Sequence, residues 1–146
     1  MNEVLPETLV YVPFLTLVEV QVSVGANFQQ KVTIVPQSGG PYPPIIGAGG
    51  ENKEIGHWMV PTTAPEPGKQ GFLIKVTVEN NDGSGWKVAP MVVSRPTSAA
   101  AFTAFFIVSE DSTDRDWNDC VVMFSWSKPI GAVAEQAESD ADPEGD

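Results

Sequence analysis

Leu17-Val-Glu-Val-Gln-Val-Ser-Val24 alternates between two kinds of residue at every step. Valine fills each even position, and three of the four odd positions are polar. Because successive side chains of a strand point to opposite faces, this period of two predicts a β-strand with one buried face. No segment before residue 132 shows helical periodicity over eleven residues, so the stretch indicates a fold built from sheets.

The same alternation returns at 31–35 and 72–79, and the segments 86–93, 102–108 and 120–126 are predicted as further strands. Turn-forming residues separate them, and Asp82-Gly83 favours a tight hairpin. Pro90 interrupts one segment and suggests an edge strand or a bulge there. Short strands with turns between them predict an all-β protein, an antiparallel β-sandwich.

Two regions differ from this body in composition. Segment 36–67 is rich in glycine and proline, which predicts an irregular excursion with one or two short strands. From residue 132 onward the chain turns to Ala, Glu and Asp, which predicts a solvated, disordered tail. A chain of 146 residues suffices for one core. We therefore expect one sandwich domain over 1–131 and an acidic tail over 132–146.

The charge balance narrows the classes of partner. The formal net charge is −11, only eight residues are Lys or Arg, and six acids lie between Glu135 and Asp146. A nucleic-acid partner is disfavoured because phosphates require basic patches, and an anionic membrane surface is disfavoured for the same reason. No apolar run approaches the ~18 residues of a bilayer span, so we expect no membrane insertion.

The N-terminal residues give an expectation about the compartment. They carry no basic leader and include Pro6 and Pro13, so no signal peptide is recognisable. A single cysteine leaves no internal disulfide framework. We expect synthesis in the cytoplasm, and release to the cell surface or exterior is left open.

The segment Glu110-Asp-Ser-Thr-Asp-Arg-Asp-Trp-Asn-Asp119 carries five carboxylates and one carboxamide. Two carboxylates about 4 Å apart repel by roughly 1 kcal/mol even in water, so the cluster requires a cation, raised pKa values or disorder. Oxygen-only ligands suit a hard cation, and calcium takes six to eight of them. Because the segment lies between the last two predicted strands, it predicts a calcium-binding loop there.

The spacing within this segment differs from that of an EF-hand. Asp114, Asp116 and Asn118 begin such a loop, but Asp119 stands where glycine is required and no glutamate occupies the twelfth position. The alternate spacing places three oxygen donors along one side of the segment, with Glu110 and Asp119 at its two ends. Two neighbouring calcium ions that share bridging carboxylates fit this number of ligands.

The acidic segment, followed by an apolar strand that reaches Trp126, resembles the signature of a bacterial family. This is the calcium-dependent fucose/mannose-binding lectin family, of fucose-binding lectin II type. Val22-Ser-Val-Gly-Ala-Asn27 is similar to the family's N-terminal calcium loop. The resemblance extends over residues 15–131 and is strongest at 107–126. It implies a β-sandwich lectin.

The resemblance also implies the ligands of two calcium ions. A sugar's vicinal hydroxyls would ligate both ions directly, and Asp116 and Asp119 would bridge the ions. The first ion would be held by Glu110, Asp114, Asp116 and Asp119. The second ion would be held by Asn27, Asp116, Asn118 and Asp119.

Sugar contacts are implied in the same way. Asp111 matches an acid that hydrogen-bonds the sugar, and Phe28, Gln29 and Gln30 occupy the specificity loop, where small polar residues are usual. Phe28 departs from that pattern. In the family, a terminal glycine carboxylate completes a calcium shell in the neighbouring subunit. Fifteen residues follow Gly131 here, so a tail acid, water or a different dimer contact must serve instead.

The implied function is recognition of fucose- and mannose-type monosaccharides, free or on glycans. We expect a homodimer or larger assembly, because a weak monosaccharide site gains strength through multivalency. The alternative is a calcium-stabilised structural module that binds no sugar. Enzyme activity is disfavoured, because the carboxylates are crowded into one segment rather than placed on opposite walls of a cleft.

Overall fold

The structure of the chain, a computed structural model, describes residues 8–25, 27–50, 52–109 and 120–127. These residues form eleven β-strands and no helix, in two antiparallel sheets. The predicted all-β sandwich is thereby confirmed. The strands are β1 (Thr8–Val12), β2 (Leu17–Val24), β3 (Gln29–Pro36), β4 (Ile45–Gly47), β5 (Lys53–Pro61), β6 (Phe72–Asn81), β7 (Trp86–Val88), β8 (Met91–Val93), β9 (Thr97–Ala99), β10 (Phe102–Ser109) and β11 (Cys120–Ser127).

The strands divide between the sheets with several crossings. Sheet I has the order β1-β6-β3-β4, with β7 pairing on β6. Sheet II has the order β5-β2-β11-β10-β8, with β9 pairing on β10. The chain passes from sheet II to sheet I between β2 and β3, and it returns to sheet II between β4 and β5. Connections from both sheets therefore lie at the ends of the sandwich.

The core is built from alternate positions of facing strands. All four valines of β2 are fully buried, as the sequence alternation predicts. Phe105 and Phe124 pair across β10 and β11 and stack with ring centroids 4.8 Å apart, while Trp126 packs edge-on against Phe105. Burying one such ring stabilises the fold by about 1.5–3 kcal/mol, so these strands are firmly fixed.

The glycine- and proline-rich excursion contains a longer strand than expected. β4 has three residues, but β5 has nine and pairs with β2 from one end to the other. Trp58 of β5 is buried, and its Nε1 donates a hydrogen bond of 3.0 Å to the carbonyl of Pro43. This bond ties the irregular residues before β4 to the opposite sheet.

β4 and β5 close one edge of the sandwich through two glycine–isoleucine contacts. A Cβ added at Gly47 would lie 2.7 Å from Ile55 Cγ2, and one added at Gly56 would lie 3.0 Å from Ile45 Cδ1. The sheets therefore approach closely here because these positions lack side chains. The pairing of β2 with β5 also skips Ile55, which makes this residue a β-bulge.

Pro90 lies where the chain changes sheet. The predicted strand at 86–93 is in fact two strands, β7 in sheet I and β8 in sheet II. The N–H of Ala89 still donates to the Val78 carbonyl at 2.8 Å, and Pro90, which has no N–H, follows directly. β8 is an edge strand, which agrees with the predicted effect of the proline.

β1 is a strand that the sequence pattern leaves unpredicted. It pairs along its whole length with β6 at the border of sheet I.

The acidic stretch 132–146 lies outside the described residues, so the division of the chain at residue 131 stays a prediction. In the part of the chain that the structure describes, no helix has the length and apolarity of a membrane span.

Candidate functional site

Four connections start from strand ends at the same end of the sandwich, and we call this end the loop end. They are 25–28, 48–52, 82–85 and 110–119. Strand pairing brings the strand ends that flank the 110–119 connection close to the 25–28 connection. Cys120 on β11 pairs with Ser109 on β10 and with Val24 on β2. The acidic segment therefore ends next to the point at which β2 leads into the 25–28 loop, and it begins one strand further away, after Ser109.

The other two connections join the same end through further pairs. Val24 pairs with Lys53, the first residue of β5, which places the 48–52 connection beside the 25–28 loop. Gln29 at the start of β3 pairs with Asn81 at the end of β6, which places the 82–85 turn at the same level of sheet I.

Asn27 is exposed at the loop end. Its Oδ1 lies beside Gly50, such that a Cβ added there would be 4.0 Å away. Among the described residues, none donates a hydrogen bond to this amide oxygen. An exposed amide oxygen without a competing donor can ligate a hard cation.

The three residues after Asn27 have different orientations. Phe28 is 41% exposed and Gln29 is exposed, whereas Gln30 is fully buried. The alternation of β3 causes this difference, because it sends Gln29 outward and Gln30 into the core. Gln30 Nε2 donates a hydrogen bond of 3.3 Å to the Phe28 carbonyl, so the buried amide supports the loop from beneath.

Five of the predicted calcium ligands and one predicted sugar contact, Asp111, lie outside the described residues. These are Glu110, Asp111, Asp114, Asp116, Asn118 and Asp119, and their roles stay predictions. Their anchors are described: Ser109 and Cys120 are both buried, and the Ser109 hydroxyl donates to the Cys120 carbonyl at 3.4 Å. Within the described ranges, no three acidic, histidine or cysteine side chains come together as a metal site.

The turn from β6 to β7 is ordered by its own side chains. Asn81 Oδ1 accepts hydrogen bonds from the N–H groups of Gly83 and Gly85, at 2.8 and 3.1 Å. Asp82 Oδ1 accepts the Ser84 hydroxyl at 2.6 Å and the Ser84 N–H at 3.1 Å. These bonds from Ser84 lower the pKa of the Asp82 carboxyl, because they favour its charged form.

Trp86 lies beside this turn on the outer face of sheet I. Lys31 Nζ is 4.5 Å from the centroid of its ring and 3.7 Å from Glu79 Oε2. The three side chains come from β3, β6 and β7, so no local sequence pattern points to them. Only the register of three strands brings them together.

The donor chemistry at the loop end fits calcium. Asn27 supplies an amide oxygen at the root of the acidic segment, and the predicted ligands within that segment are carboxylates and one further amide. The nearby thiol of Cys120 is fully buried. A set of oxygens without thiolate or imidazole suits a hard cation rather than zinc or copper.

Comparison with protein families shows what the chain is similar to. The family model described as fucose-binding lectin II (PA-IIL) matches residues 10–128, more than four fifths of the chain. The matched range includes the loop end and the acidic segment. Comparison with curated proteins gives no match.

Solved structures of bacterial lectins have a similar fold. The Chromobacterium violaceum lectin CV2L, in complex with alpha-methyl-fucoside, is 21% identical with a TM-score of 0.67, covering 83% of this chain and 96% of that one. A Ralstonia solanacearum high-affinity mannose-binding lectin is 22% identical with a TM-score of 0.66 and the same coverage of both chains. The C-terminal domain of the Burkholderia cenocepacia lectin BC2L-C is 20% identical with a TM-score of 0.66, covering 88% of this chain and 100% of that domain.

Proposed function

This chain belongs to the fucose-binding lectin II (PA-IIL) family, and from that membership we propose that it binds fucose- and mannose-type sugars at the loop end. The observation that carries the proposal is the pairing of Cys120 with Val24, which roots the acidic segment beside the Asn27 loop. Two connections with oxygen ligands thus begin at one place on a rigid sheet.

Two calcium ions are part of this proposal. Glu110, Asp114, Asp116 and Asp119 would hold one ion, and Asn27, Asp116, Asn118 and Asp119 would hold the other. When bound, divalent ions supply a concentrated positive charge to which sugar hydroxyl oxygens can coordinate. Hydrogen bonds alone exchange with water for only ~1 kcal/mol each, so a small hydrated sugar benefits from that charge.

The 25–28 loop would provide the contacts that distinguish one sugar from another. Phe28 and Gln29 are exposed and stand next to Asn27, so they would contact the bound ring together with Asp111. Gln30 was predicted in the same role, but its side chain is buried. We assign it the role of holding the Phe28 backbone in position instead.

We propose that the protein binds sugar without transforming it. The family and the similar solved structures are lectins. Hydrolysis of aryl glycosides should therefore be undetectable with calcium present.

Assembly and location are further parts of the proposal. In a homodimer or larger homo-oligomer, several weak sugar sites would act together and raise the overall affinity through avidity. Synthesis in the cytoplasm, with release to the cell surface or exterior left open, is retained as an expectation. The proposed sandwich domain ends at residue 131, followed by an acidic tail.

Calorimetric titration tests the function directly. Calcium is titrated into metal-free protein, and methyl α-mannoside and methyl α-fucoside are then titrated into the calcium-saturated protein. We expect two calcium ions per chain and sugar binding that EGTA abolishes. Calcium binding that raises the melting temperature without any sugar binding would instead favour the structural module.

A further inference from the structure

A row of side chains leads away from the loop end across sheet I. Gln29 on β3 pairs with Asn81 on β6, and Asn81 pairs with Trp86 on β7. Gln29 points outward, opposite to the buried Gln30, and partners in register share a face. The three side chains therefore form one outward-facing row, two strand spacings or about 10 Å long.

The far end of this row is held in place before any ligand binds. Asn81 Oδ1 is fixed by two backbone N–H groups of the turn, which leaves the Nδ2 amide as its donor. Trp86 is held by Lys31, which is itself paired with Glu79. Side chains that are already ordered lose little conformational entropy on binding. The row is therefore suited to a ligand that makes only weak contacts with the protein.

The chemistry of the row matches a sugar ring. The half-buried Trp86 has an apolar ring with a polar edge, and Lys31 lies over one face of that ring. One face of a pyranose carries mainly C–H groups and would pack on the part of the ring that Lys31 leaves exposed. Asn81 pairs with Trp86, and Lys31 Nζ, which is paired with Glu79, lies 4.5 Å from the centre of the ring, so these groups can serve as partners for the hydroxyls. Together they provide the two kinds of contact that a saccharide needs.

We propose that Asn81 and Trp86 form a subsite for a second pyranose residue of an oligosaccharide whose terminal residue binds at the loop end. The subsite rests on the proposed function. Gln29 links the two positions, because it follows Asn27 by two residues and pairs with Asn81. The ligand class is thus an oligosaccharide with a fucose- or mannose-type terminus rather than a free monosaccharide.

A purely structural role for Trp86 makes a different prediction. The ring and Lys31 would then only stabilise the β6–β7 hairpin. Replacing Trp86 would change the melting temperature but leave the relative affinity for long and short saccharides unchanged. Relative affinity is therefore the quantity to measure.

The experiment uses the full chain saturated with calcium. Methyl α-mannoside and an α-linked mannotriose are titrated in parallel, as are methyl α-fucoside and a trisaccharide with terminal fucose. We expect at least one trisaccharide to bind about five- to tenfold more tightly than its monosaccharide. Trp86→Ala should remove this advantage and leave monosaccharide affinity unchanged. Val88→Ala, an exposed residue of the same strand, should preserve both.

A second measurement covers the case in which Trp86→Ala fails to fold. In the wild type, the indole N–H resonance of Trp86, assigned by its loss in Trp86→Phe, should shift with trisaccharide but not with monosaccharide. Equal affinities for both ligands, an advantage retained in Trp86→Ala, or an unmoved indole resonance would overturn the subsite alone. Failure of the wild type to bind any monosaccharide would overturn the proposed function, and the subsite with it.

Discussion

Cys120 and Val24 lie opposite each other on the neighbouring strands β11 and β2, and both side chains are fully buried. The acidic segment ends directly before Cys120, and Asn27 follows Val24 by three residues. Both sets of predicted ligands thus start from one pair in the middle of sheet II. Sites carried by rigid strands hold their ligands more precisely than sites carried by long loops alone.

Asp116→Ala should abolish the binding of both calcium ions and of sugar. Asp116 is the proposed bridge, so its removal deprives both ions of a ligand and leaves the other carboxylates to repel each other. Calorimetry with calcium and then methyl α-mannoside measures the loss. Glu19→Gln, on the outer face of β2, is the matched control and should bind normally. Sugar binding retained in Asp116→Ala would contradict the bridged arrangement.

Asn27→Ala should weaken calcium binding at least tenfold without affecting the fold. The Asn27 side chain is exposed and makes no hydrogen bond within the described residues, so the melting temperature in EGTA should stay unchanged. Gly50→Ala is the control, because its new Cβ would meet Asn27 Oδ1 at an ordinary contact distance of 4.0 Å. Equal calcium affinity in Asn27→Ala and the wild type would exclude Asn27 as a ligand.

Removal of calcium should lower the melting temperature. A ligand that binds only the folded state stabilises it by about 2.7 kcal/mol at a free concentration of 100 times Kd. For a domain of this size, that corresponds to roughly 10 °C. Differential scanning calorimetry with calcium and with EGTA measures the shift, and magnesium in place of calcium is the control. An identical melting temperature in all three conditions would argue against resident ions.

Phe124→Ala should destabilise the protein by about 3–5 kcal/mol, because it removes a fully buried ring stacked on Phe105. Phe102→Ala, at a half-exposed position of β10, should change the free energy of unfolding by less than about 0.5 kcal/mol. Urea unfolding of the metal-free proteins measures both. Similar values for the two variants would contradict the packing of the β10–β11 pair.

Asp82→Asn should destabilise the β6–β7 turn at neutral pH but not in strong acid. The pKa of Asp82 is lowered in the folded state, chiefly by the Ser84 hydroxyl. Such a carboxylate stabilises the fold above its unfolded pKa, and this contribution disappears as the pH falls through the lower folded pKa. Urea midpoints of the variant and wild type should therefore converge below about pH 3.9. A difference that is independent of pH would exclude this origin.

The strands with one buried face were predictable from sequence because their alternation reports burial directly. β5 escaped prediction for a physical reason: only Trp58 and Val60 are fully inward, and the bulge at Ile55 breaks the period of two. β1 is short and is flanked by Pro6, two residues before its start, and by Pro13, directly after its end. The pattern of a few residues cannot reveal a strand that forms because it pairs with a neighbouring strand.

The candidate site was predictable from the sequence only in part. A dense run of carboxylates and the position of Asn27 are visible in the sequence. The contrast between Gln29 and Gln30 is not, because it depends on the residue at which β3 begins. The contact of Lys31 with Trp86 joins residues more than fifty positions apart, and strand register alone creates it.

The unpaired Ile55 bends β5 where the chain enters this strand. Deleting it would leave Glu54 opposite Ser23 and Lys53 opposite Val24, as they are now, but in a regular ladder without the bulge. β5 would lose the bend and extra twist of the bulge, so the 48–52 connection would leave the sheet in another direction and Gly50 would no longer stand beside Asn27. One supernumerary isoleucine thereby works as a spacer that aims a neighbouring loop, and its loss would misplace a distant amide without touching it.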